Sequence, residues 1–178
     1  MALALTGTGN GSLNNLSLTT NTGTVVDTSV NPFLAYDSWY LTANDATVGT
    51  HQLDGWTRDT SSNVTQIGSA MSESNSIWTF PTTGYWLINW VPFFDCSGSD
   101  QIQSWIRITT DNNVTTTDVA NLVATAHIGN AMTQYLFDVE DTSTHTFRFI
   151  AASIGSGSRL YGGATSRTYA QFMKLGET

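Results

Sequence analysis

The sequence predicts an all-β protein, an antiparallel β-sandwich of the jelly-roll class, and three observations carry that prediction. Short stretches of aromatic and β-branched residues recur along the chain, alternate with period two, and are separated by Asn, Asp, Gly, Pro and Ser. Helical periodicity is hard to find outside an ambiguous stretch near Asp118 to His127. Charged residues are only 11% of the chain and Lys174 is the single lysine, so the polar surface is built from Thr, Ser and Asn. Such a hydroxyl-rich, weakly charged surface suits a β-protein packed against neighbours. The 178 residues are enough for one domain with its own core and no covalent staples.

Residues 1–32 differ from the rest. They are rich in Thr, Asn, Gly, Ser and Leu, contain no aromatic residue and carry one charge, Asp27. The apolar residues Leu3, Leu5, Leu13, Leu16, Leu18, Val25 and Val26 are too sparse to bury a core of their own. The segment is therefore expected to be an extended N-terminal arm docked on a partner through backbone hydrogen bonds. Residues 33–178 are the expected sandwich domain.

Within that domain Phe33 to Thr42 reads as the first strand, closed by a turn at Asn44-Asp45. A long connection with weak strand signal follows, through Trp56 and Val64 to Met71, before a short strand at Ser76 to Phe80. The run Phe80-Pro-Thr-Thr-Gly-Tyr-Trp-Leu-Ile-Asn-Trp-Val-Pro-Phe-Phe94 is the most informative segment. Pro81 and Gly84 make a turn, and period two then puts Trp86, Ile88 and Trp90 on one face and Tyr85, Leu87, Asn89 and Val91 on the other. Both faces are largely apolar, which predicts a strand covered on both sides.

After a loop at Asp95 to Asp100, Gln101 to Ile108 alternates cleanly, and Asp111-Asn-Asn113 turns the chain. Strands are predicted at Ala120 to Ile128, Gln134 to Val139, His145 to Ser153 and Arg159 to Tyr161, with a flexible link over Ile154 to Ser158. The last strand is placed within Ser166 to Leu175.

The chemistry that could mark an enzyme is thin. His51, His127 and His145 lack metal-helix spacing. Asp95/Asp100, Asp111 and Asp138/Glu140/Asp141 are oxygen donors of the kind Ca²⁺ takes, but the EF-hand spacing is missing and they read as solvated loop acids. Paired carboxylates can hydrolyse glycosides, yet their spacing here shows no cleft. There is no Walker loop and no G-x-S-x-G elbow, and Gly155-Ser-Gly157 and Gly162-Gly163 read as turns. One cysteine, Cys96, excludes an internal disulfide and a Cys-based zinc site. No cofactor or metal is expected, and no enzymatic activity. The six tryptophans at strand positions read as core or interface, with sugar stacking the alternative.

A formal net charge of −8 with five scattered arginines argues against binding nucleic acid or an anionic membrane. The N-terminal residues lack the basic start and apolar core of a signal peptide, and no apolar run is long enough to span a bilayer. The sequons at Asn10, Asn15, Asn63 and Asn113 are read as chance in an Asn- and Thr-rich chain.

The pattern Phe80-x-x-x-Gly84-x-Trp86-x-Ile88-x-Trp90 resembles the central strand of the C1q/TNF-like jelly roll, and Tyr169-Ala-Gln-Phe-Met-Lys-Leu175 resembles that family's last strand. The likeness spans roughly residues 33–178. It departs where the family's Leu-x-x-Gly-Asp turn is replaced by Leu136-Phe-Asp-Val-Glu-Asp-Thr-Ser-Thr144. Jelly rolls with Thr/Asn-rich arms and endings like Phe-Met-Lys-Leu-Gly-Glu-Thr are similar to virion proteins of tailed phages.

The resemblance implies a homotrimer around a threefold axis. Trp86, Ile88 and Trp90 are then assigned to the core. Tyr85, Leu87 and Val91 become candidates for the trimer interface, the alternative being that both faces lie within one subunit. The function expected on this basis is a non-enzymatic virion structural protein, made in the host cytoplasm and carried on the outer surface of the capsid. There it would be a trimeric decoration or cement protein, its arm docked on the major capsid protein, adding contacts that resist internal DNA pressure. The alternative is a head-fibre or tail-fibre tip adhesin that binds host surface glycans.

Overall fold

The computed structural model describes residues 34–62, 64–98, 100–125, 127–163 and 168–178. All of them belong to the unit Asn31–Thr178. The expected arm and its seven apolar residues lie outside the described residues. Among the described residues none is helical.

The strands run β1 (Ala35–Leu41), β2 (Gly49–Gln52), β3 (Trp56–Arg58), β4 (Ser72–Ser74), β5 (Ile77–Thr79), β6 (Gly84–Val91) and β7 (Phe93–Asp95). They continue as β8 (Ile102–Thr109), β9 (Thr117–Ala124), β10 (Ile128–Asn130), β11 (Thr133–Val139), β12 (Thr146–Ile154), β13 (Arg159–Leu160) and β14 (Tyr169–Gly176). One sheet has the order β11-β6-β14-β1-β3. The facing sheet has the order β4-β5-β12-β8-β9, with β2 also paired to β12, and a small third sheet is β10-β7-β13. Every pairing is antiparallel. The closing strand β14 thus lies between β6 and β1.

Turn chemistry sets the hairpins. Ser74 pairs with Ile77 across a two-residue loop, Asn75-Ser76, in which both residues have positive φ (53° and 64°). That is the primed turn whose twist matches an antiparallel ribbon, and the Ser76 amide donates to Glu73 Oε1 at 2.6 Å. The turn expected at Asp111 to Asn113 closes β8 onto β9, with Asn112 and Asn113 at φ 56° and 66°.

The connection after β1 holds more structure than its sequence signals. Residues 56–71 contain β3, whose Trp56 packs on Trp78 and Trp90, and a bridge between Ile67 and Tyr36. The Asp118 to His127 stretch is β9 followed by the approach to β10, with no helical turn among its described residues.

The core between the two large sheets is built of rings. Trp86, Ile88, Trp90 and Phe172 come from one sheet, and Trp78, Phe147, Phe149 and Ile106 from the other; all are buried. Trp90 stacks on Phe149 with centroids 4.4 Å apart, and Trp78 stacks on Phe147 at 5.9 Å. Each buried aromatic contributes on the order of 2–3 kcal/mol by area alone, with more from ring geometry. The polar edges of the rings are mostly used: Trp90 Nε1 donates to Ser104 Oγ at 2.9 Å, and Ser104 Oγ donates to the Ile150 carbonyl at 2.7 Å.

Candidate functional site

The sheet centred on β6 has a second face that points away from the core, and pairing register fixes its composition. Leu136, Leu87, Met173 and Tyr36 lie directly opposite one another on β11, β6, β14 and β1 and form an apolar row. The next row is polar: Gln134, Asn89, Gln171 and Ser38. Beyond it Val91, Tyr169, Tyr40 and Thr57 make a third row, rich in tyrosine. Among the described residues of these strands, the one charged side chain on this face is Asp138, at a corner opposite Tyr85. A face five strands wide with one charge is unlike an ordinary solvated surface.

The predicted residues are placed as follows. Trp86, Ile88 and Trp90 are fully buried between the sheets. Tyr85 is 40% exposed, Leu87 is half-buried, and both lie on the outward face. Val91 shares that face but is only 4% exposed, so its own subunit already covers it. Leu136 and Leu175, exposed at 51% and 45%, extend the apolar surface and were missed at the sequence level. Register across the sheet finds Leu136 where alternation along a single strand cannot. Apolar surface continues near the β11 edge with exposed Met132 and Ile128.

The sites that sequence chemistry raised are dispersed. His51 lies on β2 and pairs with Asp45 at 2.5 Å. His127 precedes β10, and its largely exposed ring is 3.6 Å from Asp95. His145 precedes β12, is buried, and packs its ring on Phe137. Among the described residues no three His, Cys, Asp or Glu are grouped to hold a metal ion. Asp95, Asp100, Asp111 and Asp141 are engaged by local donors. Asp111 accepts from the Thr115 hydroxyl at 2.6 Å and from the Thr109 hydroxyl at 2.8 Å. Asp100 accepts from Ser158 Oγ and from the Gly155 amide.

Cys96 is fully buried, and burial, reinforced by Asp100 and Asp95, pushes its thiol above the ordinary range and away from a reactive thiolate. Five tryptophans (Trp39, Trp56, Trp78, Trp86, Trp90) belong to the core or pack on it. Trp105 alone of the six faces outward, beside the Arg107 guanidinium at 6.0 Å from its ring. An open cleft of about 400 Å³ is bordered by Thr42, Asn44, Asp45, Thr47 and Asp54. Its Asp45 is already held by His51 and by the Thr47 amide.

No family model matches this sequence, and no curated protein matches it. Among solved structures the chain is similar to murine APRIL, with a TM-score of 0.60 at 10% identity over 79% of this chain and 98% of that one. It is also similar to the Eiger TNF of S. frugiperda, with a TM-score of 0.55 at 10% identity over 83% of this chain and 96% of that one. The fold is a TNF-like jelly roll.

Proposed function

We propose that this chain is a non-enzymatic structural protein of a tailed-phage virion, a homotrimeric decoration protein on the outer surface of the capsid. The observation that carries the reading is the outward face of the β11-β6-β14-β1-β3 sheet, with its apolar and tyrosine rows and its single charge among the described residues. A monomer would leave Tyr85, Leu136 and part of Leu87 on that face open to water. Sister copies cover it, because exposed apolar residues also continue beside the β11 edge of the same chain (Met132, Ile128). A face on one copy meeting an edge on the next is a head-to-tail contact, and such contacts close into a ring when the rotation between copies closes. The fold likeness to TNF-type proteins supports a ring of three.

The remaining parts of the reading rest on the sequence. Residues 1–32 supply an arm that adds backbone hydrogen bonds on the major capsid protein. The scarcity of charge suits a shell protein surrounded by neighbours. Trimers bridging adjacent capsomers add contacts that oppose internal pressure. A fibre-tip adhesin would present several aromatic platforms to glycans, and one outward tryptophan, Trp105, is less than such a platform requires.

Two measurements test the proposal. Native mass spectrometry of the full chain should show a trimer, and a monomer at micromolar concentration would end the assembly reading. Deleting Met1–Val30 should leave the trimer intact and abolish cosedimentation with expanded capsids. Normal occupancy by the truncated protein would refute the docking role of the arm. Binding to host glycans with no capsid binding would move the reading to the fibre tip.

A further inference from the structure

The outward face of the other large sheet places two cations side by side. Arg107 on β8 and Arg148 on β12 are directly opposite in register, and Asp118 on β9 is opposite Arg107. Like charges facing each other across strands are destabilising, and the chain has only six lysines and arginines to place. Asp118 answers one of the two, accepting from Arg107 Nε at 2.5 Å and from Arg107 Nη2 at 2.8 Å. Arg58, Arg107, Arg159 and Lys174 each have a carboxylate partner, whereas Arg148 has none among the described residues. It is half-buried, and its Nη2 donates to the neutral Asn113 Oδ1 at 2.7 Å. Burial, and after it the Arg107 charge, push its pKa below the ordinary arginine value. We infer that Arg148 and Arg107 form a carboxylate-binding site on the outward face of β9-β8-β12, and that its ligand is an acidic side chain of a partner protein.

Charge selects the ligand. Two guanidiniums and one carboxylate leave one positive charge uncompensated, which a monoanion neutralises. A phosphate dianion would overcharge the site, and the net charge of −8 repels polyanions. The N–H groups of a guanidinium match the two oxygens of a carboxylate. Arg148 Nε is closed inside the chain, so the Nη end makes the outside contact, and Asn113 orients it. Trp105 lies in the neighbouring row, opposite Ile150 and beside Arg107, and gives the methylene stem of the ligand an apolar flank. A site on the face of a sheet suits a side chain already held by its own protein better than a free acid, which must be immobilised whole. This sheet is not the one proposed for the trimer contact, so the site stands whether or not the chain trimerises.

The test reads the arginine Cζ carbons of the isotope-labelled full chain by carbon-detected NMR, with signals assigned through single-arginine variants. The probe is a blocked Gly-Glu-Gly peptide at neutral pH and fixed ionic strength, compared with Gly-Gln-Gly, acetate and inorganic phosphate. The glutamate peptide should shift the Arg148 and Arg107 signals saturably and bind more tightly than the other three. Arg148→Gln should weaken that binding by about tenfold or more. It should also melt no lower than the parent, because it removes a like-charge contact. Arg148→Lys keeps the charge without the planar fork and should bind between the two. No shift, or an equal shift with Gly-Gln-Gly, overturns the site. Tighter binding of phosphate overturns the choice of a carboxylate, and acetate bound as tightly as the peptide overturns the assignment to a protein side chain. A large drop in the melting temperature of Arg148→Gln would make this arginine a structural tie to Asn113 and overturn the inference as well.

Discussion

Asp37 occupies an inward position of β1, opposite Phe172, with 1% of its surface accessible, yet it is an ionised-type side chain in a ring-filled core. Its carboxylate is tolerated because every direction is filled. It accepts from the Arg58 Nε at 3.0 Å, the Met71 amide at 2.9 Å, the Trp39 indole at 2.9 Å and the Ser38 amide at 3.0 Å. Arg58 in turn lies 4.5 Å over the Trp39 ring and donates to the Met71 carbonyl. The node fastens the 59–71 connection to β1. Asp37→Ala should therefore destabilise the fold by about 3 kcal/mol or more, read as a drop in the urea midpoint at constant slope; a loss under about 1 kcal/mol would contradict the node. Asp111 makes a different prediction. The Thr115 hydroxyl and amide and the Thr109 hydroxyl hold its pKa down to about 2, below the ordinary aspartate value near ~4. Its folded form thus binds fewer protons than the unfolded chain between those values. The stability it contributes is present above about pH 4 and is lost as pH falls towards about 2. Asp111→Asn should be less stable at neutral pH and should show a shallower acid limb in pH-dependent melting.

At the scale of elements, β6 is the strand on which the others depend, and its first residue shows why. Gly84 has φ 128°, and a Cβ there would strike the Gly176 carbonyl and the Lys174 side chain on β14. Gly84→Ala should cost more than about 2 kcal/mol, measured by thermal melting, and a neutral result would mean that the two strands separate more easily than their register implies. The faces of β6, the clean alternation of β8 and the turn at Asn112-Asn113 were legible because period two and turn chemistry act locally. β2 was not, since Gly-Thr-His-Gln contains no apolar residue and is held by its backbone ladder to β12. β9 looked ambiguous for a specific reason. Ala120 has φ 50°, and the three residues Ser104 to Ile106 on β8 lie opposite four, Val119 to Leu122, on β9. That extra residue breaks period two and leaves inward residues three apart, a spacing that imitates a helix. The outward face was half legible: β6 announced it, but its rows come from four strands far apart in the chain.

At the scale of the whole molecule, the question is what the outward face does when copies meet. Leu87 lies opposite both Leu136 and Met173, so it is the centre of the apolar row. Its side chain leaves the core free, which separates folding from assembly in a way few interior positions allow. Leu87→Arg should keep the β-sheet circular dichroism and the tryptophan signal of the ring-filled core. In the proposed trimer it would also put an unpartnered cation into each apolar contact, which is costly. On the proposed trimer, the expected outcome is a folded monomer at concentrations at which the parent chain assembles. Thermal melting offers an independent check. The proposed assembly would stabilise the parent by mass action, so its melting temperature should rise with protein concentration, whereas that of Leu87→Arg should not. A variant that remains trimeric, or a parent whose melting is independent of concentration, would place the contact elsewhere on the jelly roll and leave this sparsely charged face without an occupant.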